Sequence, residues 1–274
     1  MPIPLSQLST WSNQGGTTSA QQTHLSIRGL LENKYTGINT YLQGSYRNST
    51  NIYGESDVDI VVEGSTVFNP SVLSNAFTIQ QVLQPWTNLN ANIRNALISN
   101  YGGIIVSNGK KAIKIKGGSG TGRINADVIT GFNVNNGLLF YIPTEYRWVL
   151  NYPKQHYDNG TAKNQRTNQN YKPIVRIFKN IKTYLIDNGI ITSDIASSYS
   201  IECLVFNVPD VLFTNDLSTS FVDVLNWITR NLGTTAFYCQ NGIHFLFGNE
   251  KEHWNRPNAT TYLTAVVNLY NGWR

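Results

Sequence analysis

Two aspartates separated by one residue, Asp57 and Asp59, are the side chains best suited to chemistry in this 274-residue chain. In a strand, residues two apart point to the same face, so both carboxylates project together while Val58, Ile60 and Val62 face a core. Two carboxylates held this close repel each other, and protonation of one or a bound cation relieves the repulsion. The segment therefore indicates a metal site on a strand.

A glycine-serine turn at Gly44 and Ser45 lies a short distance upstream of the acidic pair. The backbone N–H groups of such a turn, together with the serine hydroxyl, suit a phosphate. By itself the acidic pair supports a metal site and a structural role equally, because Asp-x-Asp also occurs on solvated strand faces and at Asx turns. Together with the turn, it predicts a metal-and-triphosphate site.

Two further features favour the metal site. Asp127 lies alone between apolar residues of a later strand, where we favour metal ligation over a carboxylate that is satisfied by the neighbouring backbone. A helix farther along carries a basic stripe at intervals of three residues, formed by Arg176, Lys179 and Lys182. Such a stripe is commonly the solvated face of an amphipathic helix, and we favour a functional role for Lys179 alone.

The bulk composition is that of a globular protein able to bind anions. Apolar residues make up 41% of the chain and charged residues 14%, and the net charge is +5. This charge permits an anionic substrate without requiring a nucleic-acid polymer. Cys203, Cys239 and the four histidines have no metal-ligand spacing, so we expect neither a disulfide nor zinc. Without a secretory signal or an apolar run of ~18 residues, we expect a cytoplasmic protein.

The first half of the chain predicts a mixed α/β region. A helix is expected at about 17–34, with Leu25 in its buried stripe, and a strand at 40–42 then leads to the glycine-serine turn. The elements expected next are the acidic strand at 57–62, a helical region at 70–101 interrupted near Pro85, a hairpin around Asn108-Gly109, the Asp127 strand at 123–129, and a strand or helix at 140–150. The glycine-rich segment 117–122 lacks the Lys-Ser/Thr pair and following helix of a phosphate loop, so it predicts a hairpin tip.

The second half predicts mainly helices. We expect a polar loop at 151–169, because this stretch is rich in Asn, Gln and Thr. Helices are expected from Tyr171 to about residue 188, at 198–208 and at 220–232. The remaining tail is rich in aromatic residues, whose rings either pack against the helices or bind bases or a partner.

Several segments together resemble the motifs of a known family. They are Gln43–Thr50 followed by Ser56–Val62, the third-aspartate strand Asn125–Ile129, and the helical segments Tyr152–His156, Val175–Lys179 and Ser197–Glu202. The combination is similar to the DNA polymerase β-like nucleotidyltransferases, in the branch that contains the cyclic GMP-AMP synthases, the 2′-5′-oligoadenylate synthases and their bacterial CD-NTase-like antiviral relatives. The resemblance spans about 17–210 and is most specific in the first motif.

The resemblance implies an α+β fold with two lobes, in which a polymerase β-like palm, a mixed sheet with helices, packs on a C-terminal helical lobe. We place the nucleotidyltransferase catalytic lobe at residues 1–165 and the helical lobe, which closes the nucleotide cleft, at residues 166–274. Cyclic-nucleotide synthases of this branch usually run longer. We therefore expect too little chain beyond Asp210 for a full helical lobe.

The resemblance also implies roles for particular residues. Asp57 and Asp59 would coordinate two Mg²⁺ ions, which Mn²⁺ could replace, and Asp127 would complete the metal site near the attacking hydroxyl. The expected nucleotide contacts are Gly44 and Ser45 to the triphosphate, Lys179 to the β/γ-phosphates, Ser198 to a phosphate and Tyr199 stacked on a base. Carboxylates supply the oxygen ligands that Mg²⁺ prefers, and two such cations can stabilise both ends of an in-line displacement.

The activity implied is a metal-dependent nucleotidyl transfer that consumes NTPs, ATP among them, releases pyrophosphate and makes a cyclic or linear oligonucleotide second messenger. Its expected setting is bacterial antiphage defence, with an effector protein that responds to the product and no membrane partner. The same acids would serve a template-independent polymerase, or an enzyme that modifies tRNA or protein. A catalytically silent nucleotide-binding module is the alternative from another class, and three converging acids argue against it.

Overall fold

The computed structural model describes residues 1–54, 57–64, 79–118 and 122–273, with the backbone alone for residues 79–81. The contacts divide the chain into two compact units. The sheet unit comprises Gly16–Arg47 and the described part of Glu55–Lys154, and the helical unit comprises Met1–Gly15, Asn48–Gly54 and the described part of Gln155–Arg274. The functional division between residues 165 and 166 stays a prediction.

A mixed sheet forms the centre of the sheet unit. Its strands are β1 (Ile38–Gln43), β2 (Asp57–Gly64), β3 (Val106–Asn108), β4 (Ile113–Ile115), β5 (Asn125–Val134), β6 (Gly137–Ile142) and β7 (Arg147–Asn151). The order is β1-β2-β5-β4-β3, with β6 beside β5 and β7 beside β6. Strands β2 and β5 run parallel, whereas the other neighbouring strands pair antiparallel. The α+β fold class is confirmed.

The helices of both units account for most of the remaining described chain. They are α1 (Leu5–Ser12), α2 (Thr18–Lys34), α3 (Gly44–Asn48), α4 (Ile79–Tyr101), α5 (Pro153–Arg166), α6 (Tyr171–Asp187), α7 (Ser198–Phe206), α8 (Leu217–Asn231) and α9 (Arg256–Asn271). Short 3-10 turns occur at Pro143–Glu145 and Asp210–Leu212. Among these described helices, none combines the length and the hydropathy that crossing a membrane requires.

The acidic strand β2 buries alternate apolar residues, as its sequence predicts. Val58, Ile60 and Val62 are fully buried in a cluster with residues of α2 and α4. Val61 points to the opposite face and packs with apolar residues of β6. A register slip of one residue would turn the carboxylates of Asp57 and Asp59 toward the face that buries Val58 and Ile60, so this core fixes the position of both aspartates on the strand.

The described residues of the helical unit share an apolar core, and α7, α8 and α9 begin at side-chain N-caps. Residues of α6, α8 and α9 meet in this core, among them Phe178, Phe221 and Tyr262, which are all fully buried. Ser197 caps α7 by accepting a hydrogen bond from the Ser200 N–H at 2.9 Å. Asp216 and Asn255 cap α8 and α9 in the same way.

The aromatic tail belongs largely to this core, so the packing alternative is confirmed for its buried rings. Phe237, Trp254 and Tyr262 are 1%, 7% and 0% exposed. Their neighbours in the core include Phe247, whose ring stacks on that of Trp254 with centroids 5.8 Å apart. Phe245 differs, because half of its surface is exposed.

The predicted polar loop at 151–169 is wrong, because most of it forms α5. This helix buries polar residues, His156, Lys163 and Asn164, where an ordinary amphipathic helix buries apolar ones. The Lys163 Nζ donates to the Val208 carbonyl at 2.7 Å and to Asp210 Oδ1 at 2.6 Å. Apolar periodicity could not predict a helix whose inward side is held by hydrogen bonds.

Three smaller expectations are corrected. Leu25 lies on the outer side of α2 and is 62% exposed, because the buried stripe runs through Ala20, Thr23, Ile27 and Leu31 instead. Pro85 lies inside α4 without ending the helix. Lys179 lies on the buried side of α6, although its spacing places it in the basic stripe. The predicted helical segment before residue 79 and the glycine-rich tip at 119–121 lie outside the described residues.

Candidate active site

The parallel pairing of β2 with β5 aligns the predicted metal ligands. Asp59 is the direct neighbour of Asp127 in the register, and Asp57 is the neighbour of Asn125. Neighbouring residues in a sheet point to the same face, so the three carboxylates share one face at the start of both strands. The sequence predicted the two strands but not that they are adjacent and in register.

Polar neighbours hold two of these carboxylates. The Asn125 side chain donates to Asp57 Oδ1 at 2.9 Å. Lys114 on β4 is the cross-strand partner of Asp127, and its Nζ lies 3.6 Å from Asp127 Oδ1. The Asp127 side chain is 22% exposed, and that of Lys114 is 53% exposed. Asp57 is exposed as well, so both carboxylates remain within reach of solvent or a ligand.

The glycine of the predicted phosphate turn packs against the acidic pair. Gly44 begins α3 with a φ of +67°, which favours glycine because a side chain would crowd the backbone. A Cβ at this position would overlap Asp59 Oδ2 and lie 3.1 Å from its Cγ. Gly44 and Asp59 are thus brought into contact, with Ser45 next to them in α3.

The aspartates offer part of a Mg²⁺ site, which substrate phosphates and water would complete. Within the described part of the chain, no three His, Cys, Asp or Glu side chains are grouped closely enough to hold a metal ion unaided. Mg²⁺ commonly binds through one or two carboxylates together with substrate phosphates and water. The aligned pair Asp59 and Asp127, with Gly44 leaving room beside Asp59, offers such a partial ligand set.

In the helical unit, Ser198 and Tyr199 occupy the first turn of α7. The Lys182 Nζ from α6 lies 3.0 Å from the Ser198 Oγ. The N-terminal N–H groups of a helix attract an anion, and a hydroxyl beside an ammonium group adds to this attraction. Lys182 is a candidate residue that we did not assign from sequence, although its place in the basic stripe was visible there.

Tyr199 presents a fixed aromatic surface. Its ring stacks on the His156 ring with centroids 5.2 Å apart and an interplanar angle of 25°. Burial raises the pKa of its hydroxyl, which also contacts the thiols of Cys203 and Cys239. The residue as a whole is nevertheless 38% exposed.

Lys179 occupies a different environment from Lys182. It is fully buried, its Nζ donates to the Thr50 carbonyl at 2.8 Å, and the same atom lies 3.8 Å from Glu202 Oε1. Its contact with the β/γ-phosphates stays a prediction. Glu202 was not among the predicted site residues, although a carboxylate among the apolar residues of α7 must find partners when it is buried.

The predicted site residues therefore form two groups. In the sheet unit, the structure brings Gly44 to Asp59 and aligns Asp59 with Asp127. In the helical unit, it brings Ser198 to Lys182 and supports Tyr199 on His156. Their roles toward a nucleotide stay predictions.

Comparison with known proteins identifies the family. A model of the cGAS/DncV-like nucleotidyltransferase C-terminal helical domain matches residues 158–271. The cyclic UMP-AMP synthase of Rhodothermus marinus is 41% identical over 100% of this chain and 99% of its own length. The cyclic nucleotide synthase CdnE01 of Staphylococcus haemolyticus is 36% identical, with 100% of both chains covered.

A solved structure agrees with this assignment. The Rhodothermus marinus CdnE c-UMP-AMP synthase with Apcpp and Upnpp superposes with a TM-score of 0.85, covering 99% of this chain and 98% of that one. End-to-end coverage also shows that the expectation of too little chain beyond Asp210 is wrong, because the helical-domain match continues to residue 271. This chain belongs to the bacterial CD-NTase branch of the cGAS/DncV-like nucleotidyltransferases.

Proposed function

We propose that this protein is a Mg²⁺-dependent synthase that joins two NTPs into a cyclic dinucleotide. The observation that carries the proposal is the alignment of Asp59 with Asp127 across parallel strands, with Gly44 against the Asp59 carboxylate. The curated relatives that match the full chain are cyclic nucleotide synthases by name, which favours a cyclic product.

The aspartates provide the chemistry of the transfer. Asp57, Asp59 and Asp127 would hold the metal, and two bound cations would neutralise charge on the attacking hydroxyl, the α-phosphate and the departing pyrophosphate. A hydroxyl of one nucleotide forms a bond to the α-phosphorus of the other as the bond to pyrophosphate breaks. Asp127 takes the hydroxyl proton. A second transfer of the same kind closes the ring.

The other candidate residues orient the nucleotides. Gly44 and Ser45 bind a triphosphate through backbone N–H groups and the serine hydroxyl. Ser198 and Lys182 together offer a hydroxyl and an ammonium group to a phosphate, which their separation of 3.0 Å supports. Tyr199 stacks on a base, since the aromatic ring is held on His156 and the residue is partly exposed.

ATP and UTP are the first substrates to test. The R. marinus relative is named a cyclic UMP-AMP synthase, and its structure contains Apcpp and Upnpp. The two proteins are 41% identical over the whole of this chain, so we propose ATP and UTP as substrates of the present protein as well.

Product identification tests the function directly. Purified protein is incubated with all four NTPs and Mg²⁺ or Mn²⁺, and the products are identified by mass spectrometry. A cyclic dinucleotide has no terminal phosphate, so one discrete phosphatase-resistant product is expected, and Asp59→Asn should abolish it. Products that lengthen with time would instead indicate a polymerase, and nucleotides attached to added RNA would indicate an RNA-modifying enzyme. If wild-type protein consumes no NTP in any mixture, the synthase proposal is wrong.

We also infer that the enzyme acts in the cytoplasm, where its product activates an effector protein in antiphage defence. The family resemblance supports this setting. Phage challenge of a host that expresses the wild-type protein or Asp59→Asn with its neighbouring genes tests it, and equal plaque counts for the two would contradict it.

A further inference from the structure

A buried carboxylate that the reaction does not use, that of Glu202 on α7, gathers polar partners from several elements. Glu202 is 3% exposed. Its Oε1 accepts from Thr50 Oγ1 at 2.5 Å and lies 3.8 Å from the Lys179 Nζ. Its Oε2 accepts from the Asn48 side chain at 3.0 Å and lies 3.2 Å from His156 Nε2. All five residues belong to the helical unit.

The partners on the short segment from Asn48 to Thr50 show what the carboxylate holds. Ser49 has a φ of +57°, a left-handed conformation that a serine adopts only when its surroundings enforce it. The Asn48 and Thr50 side chains on either side both bond to Glu202. The segment's carbonyls are also bonded, Ser49 to Arg176 Nη1 at 2.7 Å and Thr50 to the Lys179 Nζ at 2.8 Å. Helices α6 and α7 therefore fix this segment through its side chains and its backbone.

The same carboxylate is also connected, through His156, to Tyr199, the residue proposed to stack on a base. Its Oε2 contacts His156 Nε2, and the His156 ring lies beneath Tyr199. One buried group is thus connected to Tyr199 and to Asn48, the last residue of the helix that begins at Gly44. Along the sequence, the fixed segment separates the glycine-serine turn from Asp57.

We propose that Glu202 is a positioning residue for nucleotidyl transfer, holding the segment between the phosphate turn and the acidic strand and, through His156, the orientation of Tyr199. This inference rests on the proposed function, because its catalytic consequence requires that reaction. Lys179 takes part in the same network. Its positive charge helps to keep the Glu202 carboxylate ionised, and its Nζ donates a hydrogen bond to the Thr50 carbonyl.

The electrostatics agree with a Glu202 that is ionised at neutral pH. Burial alone raises its pKa, but the His156 hydrogen bond, the Lys179 charge and the Thr50 hydroxyl outweigh burial and lower the pKa to about 2. A buried ion pair by itself adds little net stability, because desolvation offsets the attraction. Its value here lies in the geometry it imposes on the two neighbours of Ser49.

Thr50→Val is the main test, because it removes one hydroxyl of the network and keeps the side-chain shape and both charges. Thr50→Ser restores the hydroxyl. Ser220→Ala is the matched control, since Ser220 is fully buried and its hydroxyl donates to the Leu212 carbonyl, away from the segment. Each variant is measured for thermal unfolding, for hydrogen exchange of the peptide covering 48–54, and for kcat and KM with NTPs.

We expect Thr50→Val to speed exchange in 48–54 and to lower kcat on the order of tenfold to a hundredfold, because small displacements of reacting groups have effects of this size. Thr50→Ser should recover both, and Ser220→Ala should change neither. Faster exchange with a wild-type kcat and KM would overturn the positioning role, as would unchanged exchange. Hydrogen exchange can be measured without turnover. An inactive wild-type protein would therefore refute the synthase proposal, while the exchange rates would still show whether Glu202 and Thr50 hold the segment 48–54 in place.

Discussion

Substitution of Gly44 by alanine tests the contact between the phosphate turn and the acidic strand. Two penalties arise from one added methyl group. The backbone at φ +67° is left-handed, which costs an L-residue about 1–2 kcal/mol. In addition, the new Cβ would overlap Asp59 Oδ2, so the carboxylate or the turn must move.

The second penalty predicts a catalytic effect much larger than the loss of stability. Relieving the overlap requires a shift of about 1 Å, and misplacing reacting groups by this amount lowers a rate about a hundredfold. That corresponds to about 2.7 kcal/mol on the activation barrier. We therefore expect Gly44→Ala to fold, to melt several degrees lower, and to lose about two orders of magnitude in kcat.

Gly189→Ala separates the two penalties. Gly189 follows α6 with a φ of +66°, nearly the value at Gly44, and no described atom lies within 4 Å of its Cβ position. Both variants should show a similar fall in the free energy of unfolding by urea titration, while only Gly44→Ala slows NTP consumption at saturating substrate. A kcat for Gly44→Ala within about threefold of that for Gly189→Ala would refute the reasoning, since backbone strain would then explain the whole effect.

Three further predictions concern single side chains. Lys114→Met removes the cation beside Asp127, and an exposed ion pair of this kind contributes up to about 1 kcal/mol. We therefore expect the variant to bind Mn²⁺ up to about fivefold more tightly in a titration. Weaker Mn²⁺ binding would contradict this expectation. Tyr199→Leu should raise the KM for NTPs about tenfold or more, because base stacking is lost, whereas the KM of Tyr199→Phe should stay within about threefold of the wild-type value. Equal KM values for the two variants would exclude stacking of a base on Tyr199. Because the folded-state pKa of Glu202 is lowered from 4.5 to about 2 by His156, Lys179 and Thr50, its stabilisation is complete above about pH 4.5 and is lost as the pH falls toward 2. The difference in unfolding free energy between wild type and Glu202→Gln should thus shrink by about 3 kcal/mol over that range in urea titrations, and a constant difference would exclude an ionised Glu202.

The acidic strand could be predicted because its chemistry and its packing follow the same period of two. Val58 and Ile60 alternate with Asp57 and Asp59, so one pattern gives both the core face and the ligand face. The pairing of β2 with β5 could not be predicted in this way. It depends on which strands meet across the sheet, and the sequence between Asp59 and Asp127 does not encode that register locally.

The basic stripe of α6 shows where periodicity alone fails. Lys179 and Lys182 are three residues apart and look equivalent in sequence, yet Lys179 is fully buried while the Nζ of Lys182 reaches the Ser198 hydroxyl. The difference is decided by Glu202, which lies on another helix and offers Lys179 a buried counter-charge. Charged residues can thus occupy interior positions when a distant partner compensates them, and α5 follows the same principle through Lys163 and Asp210. The bonds of Glu202 to Asn48 and Thr50, and that of Lys163 to Asp210, join residues far apart in sequence, so local sequence patterns do not predict them.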